Sequence, residues 1–165
     1  MVGLLFKCSN FFPRKILILI YNSFINSKIT YCLESWGSAP ETYLSHLHIL
    51  QKRLVRIIHK KPAMTHTKPL FINSSILPIH QLYKYKLLQI AYKIFHSKQS
   101  HTDDNYSTRA SQHNLKLPLS TTAAGHRGVS YRCASLWNVL PGLIRDVSVE
   151  GEFRYALKSH LLGGI

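Results

Sequence analysis

At 165 residues the chain can form one domain with a small appended subdomain, and it can bury a core without a disulfide or metal staple. Its 45% apolar content argues against wholesale disorder, and 21 Lys and Arg against 7 acidic residues give a net charge of +14, which favours a polyanionic partner and argues against a basic one. Cys8, Cys32 and Cys133 are odd in number and far apart, so they build no disulfide framework and suit a reducing, intracellular compartment, nuclear or cytoplasmic.

The first strong signal is Ile16-Leu17-Ile18-Leu19-Ile20, preceded by Lys7, Arg14 and Lys15. That order imitates a signal peptide. The run is short, no small-x-small cleavage site follows, and polar Tyr21-Asn22-Ser23 comes next. It is also too short to span a bilayer. With Pro13 suited to a first turn, the stretch predicts a largely buried helix near residues 14–27.

Ser38-Ala39-Pro40-Glu41 has the form of a capping box, in which Ser38 accepts from the Glu41 amide and the Glu41 carboxylate reaches back. The helix expected after it, near 40–60, is the best patterned in the chain. Tyr43, Leu47, Leu50, Leu54, Ile57 and Ile58 recur at helical spacing on one face. Lys52, Arg53, Arg56 and Lys60 gather on the other, and Lys61 extends the patch. Ile49 falls on the basic side and weakens the pattern slightly. Pro62 is expected to stop the helix.

Lys61 to Leu77 reads as a proline-punctuated connector, and Pro78 opens the next helix, near 78–97. Its apolar positions are Ile79, Leu82, Tyr83, Leu87, Ile90, Ala91, Ile94 and Phe95. Polar residues 99–113 read as a linker. Beyond it, alternation in Leu115–Leu119 and Val129–Tyr131, with Gly125 and Gly128 between, suggests a short β-hairpin with Pro118 on an edge strand. A short helix is expected around Trp137. The last helix, near 149–162, carries Phe153, Ala156, Leu157 and Leu161 on one face, with Glu150 and Glu152 in its first turn.

Catalytic chemistry finds little to work with. Two-metal catalysis needs carboxylates on rigid elements holding ions about 4 Å apart. The adjacent Asp103 and Asp104 sit in a polar linker instead. His46 and His48 project roughly 200° apart on a helix and cannot share an ion. No Gly-x-Ser-x-Gly elbow and no glycine-rich phosphate loop occurs. The sequence therefore implies no catalytic residue, no metal, no cofactor and no small-molecule substrate. Trp36 and Trp137 can stack on bases, but tryptophan among Leu, Ile and Val is more often a core anchor.

The cationic ridge is the candidate site. No acidic residue lies between Glu41 and Asp103, and four cations on one ridge repel each other unless an anion neutralises them. A nucleic-acid backbone is the expected partner, held through Lys52, Arg53, Arg56, Lys60 and Lys61. A merely solvated basic face and an anionic membrane surface are the competing readings; no membrane partner is expected.

Three early segments occur in a recognisable order: Ile18–Ile25, Tyr31-Cys32-Leu33-Glu34-Ser35-Trp36-Gly37 and Leu50–Ile58. Thr108-Arg109, Leu115–Pro118, Ser130-Tyr131-Arg132, Leu136-Trp137-Asn138-Val139-Leu140-Pro141 and Phe153–Leu162 follow. Together they resemble the region just past the polymerase core of non-LTR (LINE-type, jockey-like) retrotransposon reverse transcriptases. Each motif is weak alone; their colinearity from about Pro13 to Leu162 gives the likeness its specificity. The resemblance implies a helical thumb and a tail that grip an RNA–DNA hybrid or duplex, and that pack on a polymerase palm. The family's paired metal-binding aspartates and its endonuclease would lie upstream of residue 1. Cys133 departs from the glycine many relatives carry there. The expected fold is mainly α: a thumb-like helical bundle over 1–98, a linker at 99–113, and a tail subdomain over 114–165 with a hairpin and a C-terminal helix.

Overall fold

The computed structural model describes residues 2–99 and 114–164. Asp103, Asp104 and Thr108-Arg109, and all but Gln99 of the expected linker, lie outside the described residues. The fold is mainly helical, with no strand among the described residues. Contacts gather into two compact units, Met1–Leu82 with Leu161–Ile165, and Tyr83–His160.

The first unit opens with α1, Val2–Ser9, which the sequence pattern did not announce. A continuous helix follows from α2, Arg14–Ile20, through a π-helical stretch, Tyr21–Asn26, into α3, Ser27–Thr30. Its buried side chains, Leu17, Tyr21, Ile25 and Ile29, repeat strictly every four residues. On an ideal α-helix a repeat of four drifts by roughly 40° per step. A wider π turn drifts the opposite way and offsets part of this, which helps to keep all four on the core. Cys32, at φ 48°, then reverses the chain into α4, Leu33–Trp36.

The capping box does not form. Helix α5, Glu41–Ile58, starts after Pro40, with no side-chain cap. The proline at the position before Glu41 fixes the helix start there and leaves Ser38 outside it. The buried stripe of α5 is Leu44, Gln51, Leu54, Val55 and Ile58. It is rotated from the expected one: Tyr43 and Leu50 are exposed, and Leu47 and Ile57 are half-buried. Gln51, fully buried, explains the rotation. Its amide donates to the Tyr21 hydroxyl at 3.0 Å and to the Leu77 carbonyl at 3.4 Å, and its Oε1 accepts from the Ile79 backbone N–H at 2.8 Å. A polar residue thus stays at the core with its hydrogen bonds satisfied, and one of them caps α7, Ile79–Gln99. The connector before it contains a helix the proline pattern concealed: α6, Lys68–Ser74, with Pro69 in its first turn. Proline there lacks only an N–H that would find no helical partner.

In the second unit the hairpin is replaced by helix. Residues 115–119 are irregular, and α8 spans Ala123–His126. Val129-Ser130-Tyr131 forms the first turn of α9, Val129–Val139. Alternation over three residues is too short to outweigh the helical stripe Ala134, Trp137 and Cys133 that this segment buries. Cys133 lies inside α9 and not at a turn, and its thiol donates to the Leu87 carbonyl at 3.3 Å. The short α10, Gly142–Arg145, leads towards α11, Glu150–Gly163, which buries Phe153 and Leu157. Trp137 is fully buried, with Tyr92, Phe95 and Phe153 around it at ring-centroid distances of 6.4, 5.0 and 6.1 Å. Trp36 is only half-buried, and its indole N–H donates to the Tyr31 carbonyl at 2.8 Å. It clamps the turn around Cys32 more than it anchors the core.

Candidate nucleic-acid interface

Helix α5 is held by three neighbouring helices. Its buried stripe packs in the core of the first unit, and α1, α2 and α6 lie against it. The side left open carries Ile49 and, three, four, seven and eight residues after it, Lys52, Arg53, Arg56 and Ile57, which share one helical face. With Lys61, Ala63 and Val2 of α1 they line an open cleft of about 630 Å³. No carboxylate lines it. Among the described residues, the ion pairs are His80–Glu41, Lys93–Glu150 and Arg154–Glu150, and none draws on these cations.

Four of the five expected contact residues, Lys52, Arg53, Arg56 and Lys61, therefore come together, and Lys60 does not line the cleft. The helix end explains the split. The Lys60 N–H donates to the Ile57 carbonyl and the Lys61 N–H to the Arg56 carbonyl, each at 3.0 Å. This is a Schellman closure, in which the penultimate position normally takes glycine. Here Lys60 takes it, at φ 51°. The helix stops at Ile58, and the stop comes from this closure rather than directly from Pro62. Arg56 also positions the connector, since its Nε donates to the Thr65 carbonyl at 3.0 Å. One of the cations is thus fixed in place before any ligand arrives.

Two histidines flank the ridge. Burial lowers the pKa of His48 below the ordinary imidazole value, and repulsion from Lys52 and then His80 adds to that. Burial also lowers His59, with Arg14 adding repulsion. The positive field of this face thus comes from its lysines and arginines, with both imidazoles biased towards neutrality. His48 packs against Phe71 and His80 at ring-centroid distances of 6.2 and 5.4 Å. His80 reaches Glu41 at 3.3 Å. Among the described residues, no three of His, Cys, Asp and Glu are placed to hold a metal ion. No helix of the described residues is long and apolar enough to cross a membrane.

The residues that sequence reasoning missed are the apolar ones: Val2, Ile49, Ile57 and Ala63. Ile49 was visible as a flaw in the basic face. Val2 had no signal, because α1 was not expected. Compared with known proteins, the chain matches no protein-family model, no curated protein and no solved structure.

Proposed function

We propose that the chain is a non-catalytic nucleic-acid-gripping piece of a retrotransposon RNA-directed DNA polymerase, the thumb and tail of a non-LTR element. The colinear motifs support the family origin. The grip itself rests on one observation: Lys52, Arg53, Arg56 and Lys61 line a cleft on a rigid helix with no carboxylate among them. Such a face holds phosphates through charge and carries no base-reading geometry, which suits an RNA–DNA hybrid or duplex of any sequence. Neutralising phosphates releases condensed counterions, so binding weakens steeply as salt rises. Replacing Lys52, Arg53 and Arg56 by Gln is expected to flatten the plot of log affinity against log salt by about three units of slope. Binding that ignores salt, or an unchanged slope in the triple variant, removes this reading.

A second reading, that the chain is a packing fragment for a missing protein surface such as the polymerase palm, is favoured by a separate observation. The helix from Arg14 to Thr30 has a second apolar stripe beside its buried one. Ile16, Ile20 and Phe24 repeat every four residues, and Leu19 flanks them. Leu19 is 61% exposed and Phe24 57%. The two readings are compatible, because the cleft and the stripe use different residues.

A further inference from the structure

The cationic cleft contains more than a phosphate grip requires. Apolar side chains make no bond of their own to a phosphate, yet half of the lining is Val2, Ile49, Ile57 and Ala63. Ile49 stands 47% exposed on the most strongly patterned helix of the chain. An isoleucine left in water there forfeits burial free energy that a ligand surface can restore. Its placement is also informative. Ile49 and Ile57 lie two helical turns apart, about 12 Å along the axis, and Lys52, Arg53 and Arg56 fall between them.

That order selects among anions. A lipid keeps its charge at one end and its apolar chains at the other, so it needs apolar lining gathered on one side of the cations. A nucleic-acid strand alternates phosphate with base along its length, and here cations are bracketed by apolar side chains. In a duplex the bases are stacked and paired, and only an unpaired strand can turn them onto a protein surface.

We infer that this cleft seats a short single-stranded segment, its bases resting on Ile49 and Ile57 and its phosphates held by Lys52, Arg53, Arg56 and Lys61. The inference rests on the phosphate-gripping reading above, adds the base contact, and narrows the strand held at this cleft from a duplex to an unpaired one. The strand lies along α5, and Val2 and Ala63 contribute to the apolar surface under it. The contact is sequence-tolerant, because every base has an apolar face.

Fluorescence anisotropy with the full chain tests it, using three labelled probes of equal phosphate number: oligothymidylate, an abasic strand and a duplex. Oligothymidylate is expected to bind roughly five-fold more tightly than the abasic strand, the gain from covering one part-exposed isoleucine with a base, with the same salt slope. Ile49→Ser is expected to bring oligothymidylate down towards the abasic level while leaving abasic binding and thermal unfolding unchanged. Ile57→Ser provides a second variant with the same expected effect on binding, read at a temperature where it remains folded, because Ile57 is half-buried. Equal affinity for thymidylate and abasic strands overturns the base contact and leaves the phosphate grip standing. A duplex bound more tightly than oligothymidylate overturns it as well. Failure of all three probes to bind removes the phosphate grip itself. Binding to phosphatidylserine vesicles that exceeds binding to every oligonucleotide, and that Ile49→Ser abolishes, reassigns the cleft to lipid.

Discussion

Lys60 shows how the closure of one helix shapes the candidate site without lining it. The end of α5 needs a residue in the left-handed region, and this chain places lysine where glycine would be unstrained. The same solution recurs at Ser75, φ 52°, which closes α6 with the Ser75 N–H on the Ile72 carbonyl and the Ile76 N–H on the Phe71 carbonyl. Two non-glycine closures in one unit mean that the surrounding packing, and not the residue, determines the turn. Lys60→Gly and Lys60→Ala remove the same charge, but only glycine relieves the backbone. Lys60→Gly is therefore expected to unfold about 1 kcal/mol later than Lys60→Ala, measured by denaturant titration. Equal stabilities would show that the turn carries no strain. Neither variant is expected to alter binding as much as Lys61→Gln, because Lys61 lines the cleft and Lys60 does not.

At the scale of the element, α5 joins core, charge and pH response in one helix. His48 sits between its buried stripe and its cationic face. Burial first, then Lys52 and His80, lowers its pKa, while Glu41 and Gln51 act in the opposite direction. In the unfolded chain the imidazole returns to its ordinary value of about 6.5. Between the lowered and the ordinary value the unfolded state binds more protons, so acid favours unfolding across that window. The stability from a neutral His48 is complete above about pH 6.5 and declines as pH falls through it. His59, lowered by burial and Arg14, adds in the same direction. His48→Gln is expected to make the fall in melting temperature from about pH 8 to about pH 5 shallower; an identical profile for both proteins would place the acid sensitivity elsewhere. The same helix marks what the sequence revealed. Its existence, its length to within a turn and its cationic ridge were legible because charge and apolar residues separate at period 3.6. The exact buried face was not, since Gln51 looks like a surface residue until Tyr21, Leu77 and Ile79 are seen to surround its amide. The π-helical stretch was not legible, because the apolar run predicts only a buried helix near residues 14–27 and the four-residue repeat of Leu17, Tyr21, Ile25 and Ile29 also fits one face of an α-helix. Helix α6 was hidden because a seven-residue helix between prolines has too few turns to show a period. The cleft was only half legible: composition reveals cations, but the apolar part needed α1 and the connector brought into place.

On the scale of the whole molecule, two kinds of apolar surface must be told apart. Trp137, Phe153 and Leu157 are fully buried in the second unit, and Leu17, Tyr21 and Leu33 in the first. Ile16, Leu19 and Phe24 remain in solvent on a helix whose other flank is core. Scattered exposed apolar residues are ordinary, but a periodic stripe on one helix is the mark of a surface that docks. Charge alone would keep this chain dispersed, since +14 on 165 residues gives strong mutual repulsion at low salt. Raising the salt to about 0.1 M screens that repulsion beyond about 10 Å and leaves the stripe to act. The full chain is therefore expected to bind a hydrophobic reporter dye while still folded, and to self-associate more as salt increases. The double variant Leu19→Gln, Phe24→Gln is expected to lose most of both responses with its melting temperature nearly unchanged, because neither side chain leaves water on folding to any great extent. Phe153→Ala, by contrast, is expected to cost about 3–5 kcal/mol, as for other large-to-small changes in a core. Dye binding that persists in the double variant would locate the exposed apolar surface away from the stripe, and the packing-fragment reading would fall with it.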